Sequence, residues 1–403
     1  MSTMAPPPAH QPSSQPPSQS SSQPPSQPPS QPSSAPPPDP GVRPRRSAWA
    51  ATPRGVALMA GLELRQKVRS VRWYVALAVW FVVLTGTSAL VLGAFWLNTQ
   101  AFGDMEGVSR VVYSLIVLFL VFAMMLVLPA LSAGAINGER STGTLAILQV
   151  SLLTPMEIAL GKLAAGWATG LAFVAAALPA LLPAALIGQI SPLYVLRVLA
   201  MIAAIALCIT AVGIGLSALA SRQLGSVVLA YLVVLGTTFV LPIIWGASSV
   251  LLVQHREVTI YEQSYDAESD QVGQCVTRQQ QRDVVRTDIP LVLMWPNPMV
   301  LVADMAPSLD LDRSGMDPAS FDLLSTISLG IRYAADPTHP SNFNECYDDE
   351  SPGYPTDLGS PQDHPVWPMG LGMWVLAGTG GLAFTVRRLA TPQRRMGRGE
   401  RIA

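Results

Sequence analysis

Six apolar stretches of this chain run for about twenty residues or more without a charged side chain: Tyr74–Trp96, Val111–Leu131, Leu163–Ile187, Val198–Ala220, Val227–Val253 and Trp367–Val386. Nothing else in the sequence constrains the fold as strongly. A bilayer core takes about 20 apolar residues in a helix, and a helix pairs its own backbone groups where there is no water to do so. The runs predict six transmembrane helices and an all-α integral membrane protein, a six-helix bundle. The composition agrees, with 50% hydrophobic and 13% charged residues, against about 25% charged in soluble domains.

The distribution of basic residues predicts the orientation. Arg65, Lys67, Arg69 and Arg72 precede the first run, and Arg387, Arg388, Arg394, Arg395, Arg398 and Arg401 follow the last. Between runs five and six, Gln254–Val366 carries 19 acids against six Arg and no Lys. An even number of spans puts both termini on one side. Both are expected in the cytoplasm, with the acidic segment outside the cytoplasmic (inner) membrane. The segment from Ile289 is apolar but is broken by Pro296 and Pro298 into halves too short to span. It is expected to be a re-entrant or interfacial element, or core of the outer segment.

Four regions follow. Residues 1–48 are Pro, Ser and Gln repeats without the apolar run of a secretory leader; they are expected to be a disordered cytoplasmic tail. Residues 49–253 form a membrane domain with spans one to five. Its lead-in, from Gly55, reads as an interfacial helix or as an extension of the first span. Residues 254–366 form the outer segment, and 367–403 the sixth span with a basic tail. Cys275 and Cys346 fall in the outer segment, where disulfides persist. A bridge between them is expected; it would close a loop of about 70 residues, worth about 4 kcal/mol in the chain-entropy model. Cys208, inside the fourth run, is expected to be a free thiol.

The break between runs two and three has its own grammar: INGERSTGTLAILQVSLLTPMEIALGK, Ile136–Lys162. Gly143 interrupts the exit from the second helix. Thr144 can cap a short helix whose Leu145, Ile147, Leu148 and Val150 exceed one membrane-facing stripe. Thr154, Pro155 and Glu157 then stand as N-cap, N1 and N3, a capping box that starts the third span. The insert is expected to be a folded elbow presenting Glu139, Arg140 and the short helix to the cytosol, either as a surface turn on the membrane or as a docking element.

These residues resemble the loop after the second span in ABC-2-type permeases, the membrane subunits of bacterial ABC exporters. Glu139, Arg140, Gly143, Thr144, Leu145, Thr154, Pro155, Glu157, Gly161 and Lys162 stand at matching positions, and the six-span layout with its basic lead-in is similar as well. The resemblance implies that Leu145–Val150 is a cytoplasmic coupling helix, with Leu148 in it, seated on a separate ABC ATPase. It also implies a second permease chain, in a homodimer or heterodimer. The outer segment is larger than the short hairpin that many members carry there.

The residues bear on the energy source independently. No charged residue lies inside any run, although ion-driven carriers and voltage sensors rely on such groups. No GxxxxGK[ST] loop is present, so ATP hydrolysis is expected in a partner chain and no cofactor in this one. All four His lie outside the runs, and HExxH and GxSxG are absent, which argues against an intramembrane protease. Membrane lipid is an expected partner and nucleic acid is not. The alternative reading is a multi-span sensor or assembly protein whose outer segment binds a ligand. Six spans exceed what an anchor needs, and in that reading nothing would dock on the elbow.

Overall fold

The computed structural model describes residues 47–97, 105–142, 153–266, 271–307, 322–346, 355 and 365–390. Thr52 begins the helical order. Its hydroxyl accepts a hydrogen bond from Gly55 N, and Pro53 occupies the first turn of α1 (Pro53–Val68). A break at Arg69 and Ser70 separates α1 from α2 (Val71–Leu97), the first span. The lead-in is thus a helix of its own and not an extension of that span.

The second span is α3 (Met105–Ser132), which carries Pro129 inside it. A turn leads to the short α4 (Asn137–Thr142). The third and fourth spans are α5 (Pro155–Ile187) and α6 (Pro192–Leu219). Span five is built from α7 (Gln223–Leu235), one π-helical turn (Gly236–Val240) and α8 (Leu241–Leu251), whose Pro242 follows that turn. Proline has no N–H to give to the preceding carbonyls, and a π turn is one way for a helix to absorb the mismatch. Among the described residues six helices are long and apolar enough to cross a membrane, the last being Trp367–Ala390. They coincide with the six runs to within a few residues at most ends.

Spans two, three and four make the centre. Tyr113, Leu120, Met125 and Leu128 of α3, Leu181 of α5 and Ile209 of α6 are fully buried there. Spans one and five are peripheral, and Val75, Val79, Val82, Leu224, Val228 and Leu232 lie exposed along them. In a bilayer these side chains face acyl chains, at no cost. Between membrane helices close packing replaces the hydrophobic drive, so small residues mark the contacts. Gly166 meets Thr210, and Gly170 meets Met124 and Leu128. A Cβ on Gly215 of α6 would collide with the backbone of Gly381 in the sixth span.

Because successive spans run in opposite directions, α4, the start of α5 and the end of the sixth span share one end of the bundle. The segment between spans five and six occupies the other. This segment departs from the all-α expectation, which holds for the membrane part. It carries β1 (Val253–Asp266) antiparallel to β2 (Gln271–Val285), with the short β3 (Asn344–Glu345) parallel to β1, in the order β2-β1-β3. Val258 and Ile260 alternate on β1 and are buried with Val284 of β2. That alternation makes a one-faced sheet core. Cys275 on β2 is bonded to Cys346, just past β3, with their Cα atoms 6.1 Å apart. Cys208 is free and buried.

The stretch from Ile289 forms a 3₁₀ turn (Ile289–Leu293) and α9 (Pro298–Ala303). Leu301, Val302 and Ala303 have no exposure and join the core of the bundle. The element therefore packs against the ends of the spans. Two buried carboxylates fasten this end. Asp304, after α9, accepts from Val366 N (2.7 Å) and Trp367 N (2.9 Å), at the start of the sixth span (α11, Trp367–Ala390), with α10 (Leu323–Ala335) between them in sequence. Arg332 of α10 sits 3.7 Å from the same carboxylate. Asp322 caps α10 and accepts from Ser114 of span two and from Tyr194 of span four.

Candidate functional site

The candidate site is the opposite end, where the chain leaves α3 and returns in α5. Its exit is held by two serines. Ser217 Oγ of α6 accepts from Ile136 N (3.0 Å) and Asn137 N (3.2 Å). Ser226 Oγ of α7 donates to Ala133 O (2.7 Å) and accepts from Asn137 Nδ2 (3.3 Å). These N–H groups belong to a helix start and lack intrahelical partners. Ser217 satisfies the two backbone N–H groups and Ser226 ties Ala133 and the Asn137 side chain to another span, so α4 leaves the bundle in a set direction.

The return is held by a carboxylate. Thr154, Pro155 and Glu157 form the capping box: Glu157 N donates to Thr154 Oγ1 (3.2 Å) and Thr154 N to Glu157 Oε2 (2.9 Å). Glu157 also serves a second helix start. Its Oε1 accepts from Thr52 N (3.0 Å) and Thr52 Oγ1 (2.5 Å), the N-cap of α1. Thr154 Oγ1 donates to Ala50 O (2.5 Å) and Met156 N to Ala48 O (3.1 Å). Glu157 is 2% exposed. A carboxylate buried this deeply is tolerable because its oxygens are occupied by N–H and O–H donors at two positive helix ends. Gly55 fits the arrangement, since a Cβ there would run into the Glu157 carboxylate.

Just over one turn further along α5 stand Gly161 and Lys162. Gly161 lets α1 approach, and a Cβ on it would strike Met59. The Lys162 side chain is 2% exposed and its Nζ lies between Glu63 of α1 and Glu139 of α4, 2.6 Å from the latter. Lys67 Nζ donates to the buried Thr169 Oγ1 (3.0 Å), two turns further along α5 on the same interface. Burial pushes the Lys67 ammonium below its ordinary range, Glu63 pushes it back up and Lys162 down again. The sequence has 25 Lys and Arg together, and Lys67 and Lys162 are its only lysines; both lie on this α1–α5 contact. A slender ammonium on a flexible stem can reach between two carboxylates where a planar guanidinium would need a matched fork.

The sequence suggested that Glu139 is presented to the cytosol; in the structure its side chain is 20% exposed and paired with Lys162. It points back to Lys162, because pairing the buried ammonium outweighs exposure to water. Arg140 lies on α4 by its backbone. Gly143, Thr144, Leu145 and Leu148, with the rest of the proposed coupling helix, lie outside the described residues. Sequence reading found Thr154, Pro155 and Glu157 in their roles. It missed Thr52, Glu63, Ser217 and Thr169, which come from distant segments; the rarity of lysine was the one signal available. Among the described residues no group of three or more His, Cys, Asp or Glu is arranged to hold a metal. The chemistry on offer is mechanical: buried ion pairs and shared caps that join α1, α4, α5, α6 and α7 at the two feet of the insert.

Searches against protein-family models and against curated proteins return no match for this chain.

Proposed function

We propose that this chain is the membrane-spanning permease subunit of an ATP-driven ABC transporter, an exporter, energised by a separate ATPase that docks on the loop after span two. The single observation that carries the reading is the anchoring of that loop. Its exit is tied to α6 and α7 by Ser217 and Ser226, and its return to α1 by Glu157 and Lys162. A docking element transmits force only if its feet are stiff. A loop that merely closes a helical hairpin has no need of a buried carboxylate and a buried ammonium, which are costly to bring out of water. The lack of charged groups at the middle of the spans supports an external energy source. The resemblance of the Glu139–Lys162 stretch to ABC-2 permeases supports the same partner.

In this reading both termini and the insert are cytoplasmic, the disulfide-closed sheet is outside, and a second permease chain completes the pathway. The test is affinity purification of the full chain from its native membrane in mild detergent. An ABC ATPase should co-purify in stoichiometric amount, and ATP hydrolysis by the complex should depend on the permease. Recovery of the chain with no ATPase under conditions that preserve its own oligomer would contradict the proposal.

A further inference from the structure

We propose that Arg256 and Arg282, paired across the β1–β2 ribbon, form a binding site for a phosphate group. The segment Gln254–Val366 has 19 acids and six Arg. Four of those Arg lie on the ribbon or directly after it: Arg256, Arg278, Arg282 and Arg286. The register sets Arg256 opposite Arg282 and Arg278 opposite Ile260. Arg286 N donates to Leu252 O (2.8 Å), which continues the ladder. Alternate residues of a strand share a face, so all four Arg belong to one face of the ribbon. Glu257 and Asp283 belong to the other.

Three of the four have carboxylate partners. Arg278 meets Glu262 (2.9 Å), Arg286 meets Asp288 (2.6 Å) and Arg282 reaches Glu345 of β3 (3.2 Å). Arg256 has none among the described residues; its Nε donates to Gln254 Oε1 (3.4 Å). Like charges directly opposite on paired strands, with Cβ atoms about 4.5–5.5 Å apart, are destabilising. The ribbon thus carries an unbalanced charge at the rung where a second guanidinium makes it most costly. The neighbouring amides fix the forks. Gln280 Oε1 accepts from Arg282 Nε (3.1 Å), and Gln254 Oε1 accepts from Arg286 Nη1 (2.9 Å) as well as from Arg256. On each strand a Gln two residues before the Arg takes its Nε–H and leaves terminal N–H groups for a ligand. One fork satisfies the two oxygens of a carboxylate; two adjacent forks suit the larger set of oxygens on a phosphate. Arg256 is exposed and lies five residues past Leu251, the end of span five. That is at most about 17 Å along a strand, within reach of a lipid headgroup phosphate and of a soluble phosphate ester alike. The site stands whether or not the chain works with an ATPase.

Protection from phenylglyoxal, which modifies guanidinium groups, tests it. The full chain is held in a maltoside detergent, which contains no phosphate, and the modification rate of each Arg is read by peptide mass spectrometry. In one arm inorganic phosphate or glycerol 3-phosphate is added at millimolar concentration; in the other, phosphatidic acid is added to the micelles. Modification of Arg256 and Arg282 should slow several-fold in at least one arm, that of Arg278 should barely change, and acetate at equal ionic strength should protect neither. Protection in the lipid arm alone identifies a headgroup, and protection by the soluble esters identifies a soluble ligand; either result supports the site. Arg256→Gln relieves the like-charge pair, so without ligand its amide exchange over Val253–Glu257 should be slower than in the wild type, and phosphate should no longer protect Arg282 beyond Arg278. Arg256→Lys should keep part of the protection. No protection in either arm, equal protection of all four Arg, protection by acetate as strong as by phosphate, or faster exchange in Arg256→Gln would overturn the proposal.

Discussion

The two ends of the bundle are fastened by different means. At the insert end the fastening is polar and spread through the sequence. Glu157 joins two helix starts, and Lys162 joins α1 to α4 across separations of 99 and 23 residues. At the sheet end the fastening is partly covalent, and it too joins distant segments, Asp322 reaching Ser114 across 208 residues. Cys275–Cys346 closes the sheet on itself, while Asp304 and Asp322 cap the helices nearest them in sequence or space. The contrast separates two tasks. The sheet end keeps the large segment between spans five and six in shape. The insert end holds five helices in register around a short segment, so displacement of that segment must be felt by the spans.

The largest effect is expected at Lys162. Lys162→Met keeps the length of the side chain but leaves Glu63 and Glu139 without the ammonium between them. Removing one partner of a buried pair commonly costs about 3–5 kcal/mol. Thermal unfolding of the detergent-solubilised chain should fall by several degrees, and Glu63→Gln with Glu139→Gln in the same background should recover part of the loss. A triple variant no better than the single one would show that packing, not charge, holds this end. The disulfide comes next. Cys275→Ser should destabilise the outer segment by up to about 4 kcal/mol, read as faster proteolysis between β2 and β3, without loosening α4. Equal loosening of both ends would mean that they are one cooperative unit and that the contrast is false.

Glu157→Gln sharpens the comparison within the insert end. It keeps one acceptor but loses the charge that strengthens the bonds from Thr52 and Thr154, worth about 1–3 kcal/mol. Amide exchange should quicken at the starts of α1 and α5 together, because one carboxylate serves both. Quickening at α5 alone would reduce Glu157 to an ordinary cap. The smallest effect belongs to the sheet end. The Arg286 hydrogen bond holds the Asp288 carboxyl below its ordinary range. A lowered carboxyl stabilises the fold above its unfolded value, near pH 4, and that contribution fades as pH falls through the lower folded value. Acid should therefore loosen the base of the hairpin slightly as pH falls below about 4, and Asp288→Asn should remove that dependence as seen by exchange at Arg286 and Thr287.

How much of this was legible follows from where the information lies. An apolar run of twenty residues has one stable habitat, so the six spans could be placed from sequence, although the helices at Met105, Pro155 and Pro192 begin about two turns before the runs. The Thr154 cap was legible because its four residues are contiguous. The sheet was not: Val258, Ile260 and Val284 give it a thin apolar face, and Arg, Gln and Glu between them read as solvated loop. The role of Lys162 was hidden for another reason. Glu63, Glu139 and Lys162 each sit beside basic or polar neighbours that look solvent-facing, and only the crossing of α1 over α5 brings them together. The pairing of Glu139 with Lys162 was hidden for the same reason.

The central claim is that the anchored insert receives force from an ATPase, and Leu148→Asp tests it most directly. Leu148 lies outside every span, so membrane insertion and expression should be unchanged. A charge placed on an apolar anchor commonly costs a docked interface more than about 2 kcal/mol. The account predicts that ATPase co-purification and ATP-dependent export both collapse in Leu148→Asp, while Glu139→Ala, which acts through Lys162, weakens export less and leaves the ATPase bound. Wild-type partner binding and export in Leu148→Asp would contradict it and leave the insert as a turn on the membrane surface.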